Sequence, residues 1–180
     1  MSLLRAETTL LLCVDWQERL LPAMPEGHRQ RALGQALLLR WLADELGIPV
    51  LFTEQYPKGL GPTLPAFKAT DAVEKLSFSA LGAPALGERL AALPLRREVL
   101  LTGMETHICV AQTASDLRAQ GYTVRMVADA ALSRRKLDWR LGLEQMAAEG
   151  CAITTAEAVA FALVQRAGGP IFKELSRRIR

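Results

Sequence analysis

The chain has 180 residues, 50% of them hydrophobic, and its 22 Lys and Arg against 19 Asp and Glu give a formal net charge of +3. This length and apolar content predict a single domain over residues 1–180. No apolar run approaches the roughly 20 residues of a membrane span, so we expect no membrane partner. The basic end at 177–180 lacks interleaved aromatic residues, which argues against a nucleic-acid partner. Cysteines without paired spacing favour a reducing, cytoplasmic location.

Apolar runs alternate with amphipathic stretches along the chain. In order, the pattern predicts strand 9–14, helix 30–46, strand 48–53, a Pro- and Gly-rich loop 55–65, strand 72–76, helix 85–93, strand 99–101, helix 110–120, strand 123–127, helix 137–149, strand 152–154 and further helix. Such nearly continuous apolar strands between helices are typical of a parallel sheet covered on both faces. With right-handed crossovers, the predicted fold class is α/β: a three-layer αβα sandwich around a Rossmann-like, mostly parallel sheet of about six strands.

Reactive residues stand at the predicted carboxyl ends of the strands, where α/β sheets bind ligands. Asp15 follows the first strand, Glu54 follows the second, Lys75 lies within the third, and the loop to Cys109 follows the fourth. A carboxylate, an amine and a thiol at one edge are the components of a nucleophile with a base and an orienting cation.

Cys109 is the most informative of these residues. It lies between an apolar strand and a helical stretch, so we expect it in the first turn of a helix, where free N–H groups and the macrodipole favour an anion. That position predicts a lowered thiol pKa and a reactive thiolate. The alternative is a buried core cysteine, since free cysteines are among the most buried residues.

Three ordered motifs resemble those of the isochorismatase-like cysteine hydrolase family. They are Val-Asp-Trp-Gln at 14–17, Glu-Lys-Leu-Ser-Phe-Ser at 74–79 and Gly-Met-Glu-Thr-His-Ile-Cys-Val at 103–110, and the resemblance extends from residue 10 to about residue 175. The segments 54–61 and 129–134 are similar to the branch of isochorismatase-domain-containing hydrolases.

The resemblance implies roles for particular residues. Asp15, Lys75 and Cys109 match the family's catalytic triad, and the bond from Met104 to Glu105 matches its non-proline cis peptide. The backbone N–H groups of Glu105 and Cys109 would form the oxyanion hole. The implied activity is hydrolysis of a small amide or related acyl compound through a thioester.

Four residues are candidate walls of a substrate pocket, although core packing is an equally open interpretation of each: Trp16, Gln17, Tyr56 and Phe78.

Two departures from the family narrow this expectation. Nicotinamidases of the family bind a metal through an Asp-x-His pair and a further His, whereas residues 54–57 here are Glu-Gln-Tyr-Pro and the only histidines are His28 and His107. We therefore expect no metal and no cofactor, and a substrate other than nicotinamide. Glu105 stands where many amidases of the family have a small apolar residue. Its carboxylate would oppose an anionic intermediate unless it turns away or pairs with a cation.

Two other functions remain open from the sequence. The chain could be a catalytically weak or silent family member that acts as an oligomeric interaction module, or a thiol-based redox protein. In each case we expect a homo-oligomer, a dimer or larger, because the family commonly assembles and residues 158–164 are apolar.

Overall fold

The computed structural model describes residues 4–179 and contains one six-stranded sheet. Every strand pair is parallel, and the spatial order is β3-β2-β1-β4-β5-β6. The strands are β1 (Thr9–Val14), β2 (Val50–Gln55), β3 (Val73–Lys75), β4 (Glu98–Met104), β5 (Thr123–Leu132) and β6 (Ala152–Thr154). This arrangement confirms the predicted α/β sandwich, with two of the strands, β1 and β6, at the predicted residues.

Helices cover both faces of the sheet. The α-helices are α1 (Glu26–Glu45), α2 (Pro57–Leu60), α3 (Pro84–Ala91), α4 (Ala111–Ala119), α5 (Lys136–Ala148), α6 (Ala156–Val164) and α7 (Pro170–Arg178). A wider π-helical turn, Thr106–Val110, leads directly into α4, and short 3₁₀ turns occupy Ala6–Thr8, Leu21–Ala23, Pro65–Phe67 and Ala80–Gly82. The helix predicted over 30–46 begins four residues earlier, and the loop predicted over 55–65 contains α2.

The central strand β1 explains why the chain has two apolar cores. All six of its residues are buried, and alternate side chains point to opposite faces. Leu11 packs in the core under α1, α6 and α7, whereas Leu10 and Leu12 pack in the core under α3, α4 and α5. A continuous apolar run is therefore what a strand covered by helices on both faces requires.

The strand order places a crevice at the carboxyl ends of β1 and β4. The chain runs outward through β2 and β3 on one side of β1 and returns to form β4 on the other, and such a switch in direction is where α/β sheets bind ligands. Gly103 lets the two strands meet closely there. A Cβ atom on Gly103 would lie 2.0 Å from the carbonyl oxygen of Val14, so only glycine fits this position.

Candidate active site

Asp15 and Lys75 form an ion pair at this crevice. Asp15 directly follows β1 with a left-handed backbone (φ 53°), and Lys75 is the last residue of β3. Lys75 Nζ lies 2.8 Å from Asp15 Oδ2, and both side chains are completely buried. Asp15 Oδ1 accepts a hydrogen bond of 2.7 Å from the hydroxyl of Thr53 on β2. Thr53 therefore engages one carboxylate oxygen, and the Lys75 ammonium engages the other.

The Lys75 ammonium replaces its lost water with protein oxygens. Besides Asp15, Nζ contacts Gln55 Oε1 at 2.7 Å, the carbonyl of Phe78 at 3.1 Å and the carbonyl of Ser77 at 3.3 Å. A buried ammonium costs much free energy unless its three donors find acceptors. These acceptors hold the charged end of Lys75 beside Asp15.

Cys109 completes the site. It is the fourth residue of the π-helical turn, and only 7% of its surface is exposed. Its thiol is within side-chain hydrogen-bonding reach of both Asp15 and Lys75. Burial, followed by the negative charge of Asp15, raises the pKa of Cys109 from 9.0 to about 12, against the opposing effect of the Lys75 charge. The pKa lowering expected from the helix position was wrong, because burial and the neighbouring carboxylate outweigh the helix start.

Thr113 joins the π-helical turn that contains Cys109 to the loop that holds Lys75. Its hydroxyl donates to the carbonyl of Cys109 at 2.6 Å and accepts from the N–H of Ala80 at 2.9 Å. Ala80 lies in the same loop as the two carbonyls that bind Lys75. Thr113 is fully buried, and the sequence analysis did not identify it, since a threonine on a helix is usually unremarkable in a sequence.

The carboxylate of Glu105 forms an ion pair with Arg134. The peptide bond between Met104 and Glu105 is cis, as the resemblance implies. The Glu105 carboxylate accepts hydrogen bonds from Arg134 Nε at 3.0 and 3.1 Å and from the Arg134 backbone N–H at 3.0 Å. The buried carboxylate is therefore neutralised by Arg134, which meets the condition under which Glu105 is compatible with a neighbouring oxyanion.

Two of the four candidate pocket walls, Trp16 and Gln17, are fully enclosed in the protein. Trp16 Nε1 donates to Thr102 Oγ1 at 3.2 Å, and its ring centroid lies 5.6 Å from that of Phe67. Gln17 Nε2 donates to the carbonyls of Gly61 at 2.6 Å and of residue 55 at 3.0 Å. These contacts fix the loops around Asp15.

The other two candidates, Tyr56 and Phe78, are 51% and 55% exposed. The backbone of each residue contacts Lys75: the N–H of Tyr56 donates to the Lys75 carbonyl at 2.9 Å, and the carbonyl of Phe78 accepts from Lys75 Nζ at 3.1 Å. Both exposed aromatic residues are therefore held next to Lys75 in the fold.

Glu54 and the two histidines lie outside the Asp15–Lys75–Cys109 cluster. Glu54 Oε1 accepts from the N–H and the hydroxyl of Thr63, at 2.6 and 2.8 Å, and so stabilises the loop after α2. His107 Nδ1 lies 3.0 Å from Ser133 Oγ, and His28 lies at the rim of a separate cavity. Over residues 4–179, no three or more His, Cys, Asp or Glu side chains are arranged to hold a metal ion. Within the same residues, no helix is long and apolar enough to cross a membrane.

The fold and this cluster together define a class of protein: a three-layer α/β domain with the fold of the isochorismatase-family hydrolases. The sequence comparison agrees, because the model of the isochorismatase domain family matches residues 9–158. The chain belongs to the isochorismatase domain family.

Its relatives include proteins of two subgroups. The chain is 43% identical to isochorismatase domain-containing protein 1 of Salmo salar over 176 residues, which are 96% of this chain and 61% of that protein. It is 36% identical to isochorismatase domain-containing protein 2A of Mus musculus, over 97% of this chain and 84% of that protein. The chain thus spans less than two thirds of the protein 1 relatives.

Solved structures show the same fold. A structure described as the MAR1 ribonuclease of Caenorhabditis elegans superposes with a TM-score of 0.89 at 33% identity, over 99% of this chain and 92% of that chain. The YcaC gene product of Escherichia coli, described as an octameric hydrolase of unknown specificity, superposes with a TM-score of 0.86 at 22% identity, over 92% of this chain and 84% of that chain.

Proposed function

We propose that the protein is a cysteine-dependent hydrolase of a small amide or related acyl compound, with Cys109 as the nucleophile and Asp15 as the general base. The observation that carries this proposal is the fully buried pair of Asp15 and Lys75 within reach of the Cys109 thiol. A nucleophile beside a base that is itself held by a third group is the usual arrangement of covalent catalysis.

The raised pKa of Cys109 determines how the first step proceeds. The thiol is neutral at rest, so its proton must leave as the sulfur attacks the acyl carbon. The Asp15 carboxylate accepts that proton, because it lies within hydrogen-bonding reach of the thiol. The sulfur–carbon bond forms, and the carbonyl electron pair moves onto the oxygen, where the backbone N–H groups of Glu105 and Cys109 hold it.

The remaining steps return every group to its starting state. The carbonyl re-forms, the carbon–nitrogen bond breaks, and Asp15 gives its proton to the leaving amine, which leaves a thioester on Cys109. Asp15 then takes a proton from water while the water oxygen attacks the thioester. The carbon–sulfur bond breaks, and the proton returns to the departing sulfur. Lys75 acts throughout as the cation that keeps Asp15 ionised and oriented.

The surroundings of the cluster support a small substrate. Tyr56 and Phe78 are the exposed aromatic residues beside Lys75 and are the candidate walls for its apolar part. Trp16 and Gln17 would act indirectly, by holding the loops around Asp15 in place. We propose that the reaction needs neither metal nor cofactor, takes place in the cytoplasm, and is carried out by a homo-oligomer without membrane or nucleic-acid partners.

Release of amine from a panel of small aliphatic and aromatic amides tests the proposal. We expect turnover by the wild type and by Cys151→Ala, a matched change of a buried thiol outside the cluster, and none by Cys109→Ala. The panel includes a short RNA, because one structural neighbour is described as a ribonuclease; we expect the RNA to remain intact. Full activity of Cys109→Ala, or an inert wild type, would overturn the hydrolase proposal, and the inert wild type would favour the interaction module.

A further inference from the structure

A cavity lies beside the carboxyl end of β5. It has a volume of about 340 Å³, within the usual range for small-molecule sites. Its walls come from the first turns of α1, from the end of β5 with the residues that follow it, and from the start of α5. Asp15, Lys75 and Cys109 do not line it.

The floor of this cavity is apolar. Ala32, Ala131 and Leu132 line it and are buried, and the half-buried Trp139 forms one wall. Trp139 Nε1 donates to the carbonyl of Ala128, another lining residue, at 3.3 Å, so the indole ring is fixed in place. A ligand here would bury an aromatic or aliphatic group against these side chains.

The rim carries two cations, Arg31 and Lys136, and a histidine. His28 and Arg31 lie three residues apart on one face of α1, and Lys136 is the first residue of α5. No ion-pair partner of these three side chains occurs within residues 4–179. The first turn of α5 also carries a carboxylate, Asp138, whose Oδ2 lies 3.9 Å from Nε2 of His107.

One carboxylate, that of Asp129, is among the residues that line the cavity. Its Oδ1 accepts a hydrogen bond of 2.8 Å from the N–H of Ala156 at the start of α6, and burial raises its pKa. Asp129 therefore already accepts a hydrogen bond at the start of α6. The polar hydroxyl in the wall is that of Ser133, which lies 3.0 Å from Nδ1 of His107.

We propose that this cavity binds a small organic monocarboxylate, with the apolar part against the floor and the carboxylate at the rim with Arg31 and Lys136. An apolar floor alone would accept neutral molecules equally well. Cations without an ion-pair partner at the mouth select an anion, because a carboxylate gains charge-assisted hydrogen bonds there. The site is separate from the proposed catalytic one, and the proposal does not depend on hydrolysis.

Benzoate and its neutral analogue benzamide are matched probes for this site. The chain has three tryptophans, whose indole N–H groups give separate NMR resonances that Trp→Phe variants assign. Titration of benzoate to about 10 mM, enough to populate a millimolar site, should shift the Trp139 resonance and leave those of Trp16 and Trp41 in place. Benzamide should bind markedly more weakly.

The double variant Arg31→Gln with Lys136→Met should weaken benzoate binding by about fivefold or more, as expected for the loss of two exposed cationic contacts. Arg140→Gln, an exposed change on the same helix but outside the cavity, should not change it. Cys109→Ala should bind benzoate like the wild type, which separates this proposal from the proposed hydrolase. The absence of a Trp139 shift, equal binding of benzamide, or unchanged affinity in the double variant would each overturn the proposal.

Discussion

Replacement of Lys75 by methionine should destabilise the protein and abolish its proposed activity, because it removes the cation from a completely buried ion pair. Methionine keeps most of the aliphatic length, so packing is nearly conserved. Asp15 keeps the Thr53 hydroxyl at 2.7 Å and the nearby Cys109 thiol, but it loses the cation that balances its charge. Breaking a buried pair in this way typically costs about 3–5 kcal/mol of unfolding free energy.

The carboxyl group of Asp15 can avoid this cost by taking up a proton. A protonated Asp15 cannot accept the thiol proton, so turnover should fall at least about 100-fold, the typical contribution of general-base catalysis. The double variant Asp15→Asn with Lys75→Met should be hardly slower than either single variant and more stable than Lys75→Met alone.

Urea unfolding and amide turnover measure these effects. Lys173→Met, an exposed lysine on α7, is the matched control and should change stability by less than about 0.5 kcal/mol. Near-wild-type turnover of Lys75→Met on a substrate that Cys109→Ala cannot process would refute the reasoning, since Lys75 would then have no part in the proton transfer.

Further outcomes can be measured on the same protein. Iodoacetamide should modify Cys109 faster than Cys13 or Cys151, because Asp15 lies within hydrogen-bonding reach of the Cys109 thiol and can accept its proton. Asp15→Asn should remove the difference, and peptide mass mapping checks this. Burial raises the pKa of Cys13 to about 12, so above pH 9 the folded protein keeps a thiol proton that the unfolded protein releases. The free energy of unfolding should therefore fall as the pH rises from 9 towards 12. The fall should be less steep in Cys13→Ala. Prolonged dialysis against a chelator should leave activity and Tm unchanged; activity restored only by a divalent ion would contradict this. Sedimentation at micromolar concentration should give a mass above that of one chain, and a monomer mass would be inconsistent with self-association.

The strand centres and the fold were predictable from the sequence because they depend on continuous apolar runs. The strand ends were harder. The strand predicted to end at residue 127 continues as β5 to Leu132, through the half-buried Ala128 and Asp129, where apolar periodicity gives no signal. β2 lies two residues later than predicted, because its register is set by pairing with β1 and β3.

Only the reactive residues of the candidate site could be predicted from the sequence, and the residues that support them could not. Asp15, Lys75 and Cys109 stand at strand ends, but Thr53 and Thr113 look like ordinary strand and helix residues until the fold brings them to the cluster. The direction of the Cys109 pKa shift was mispredicted for the same reason. It depends on burial and on Asp15, which is 94 positions away in the chain (109 minus 15) and adjacent only in the folded protein.

The central claim is that an acyl group is transferred to the sulfur of Cys109. Its most direct test is acid quenching of the wild-type protein during reaction with an activated acyl compound such as p-nitrophenyl acetate, followed by peptide mapping. We expect acetyl on the peptide that contains Cys109, formed at the rate of the p-nitrophenol burst and absent in Cys109→Ala. An acyl group on Cys13, Cys151 or Lys75 instead, or turnover without any acylated Cys109, would contradict the account.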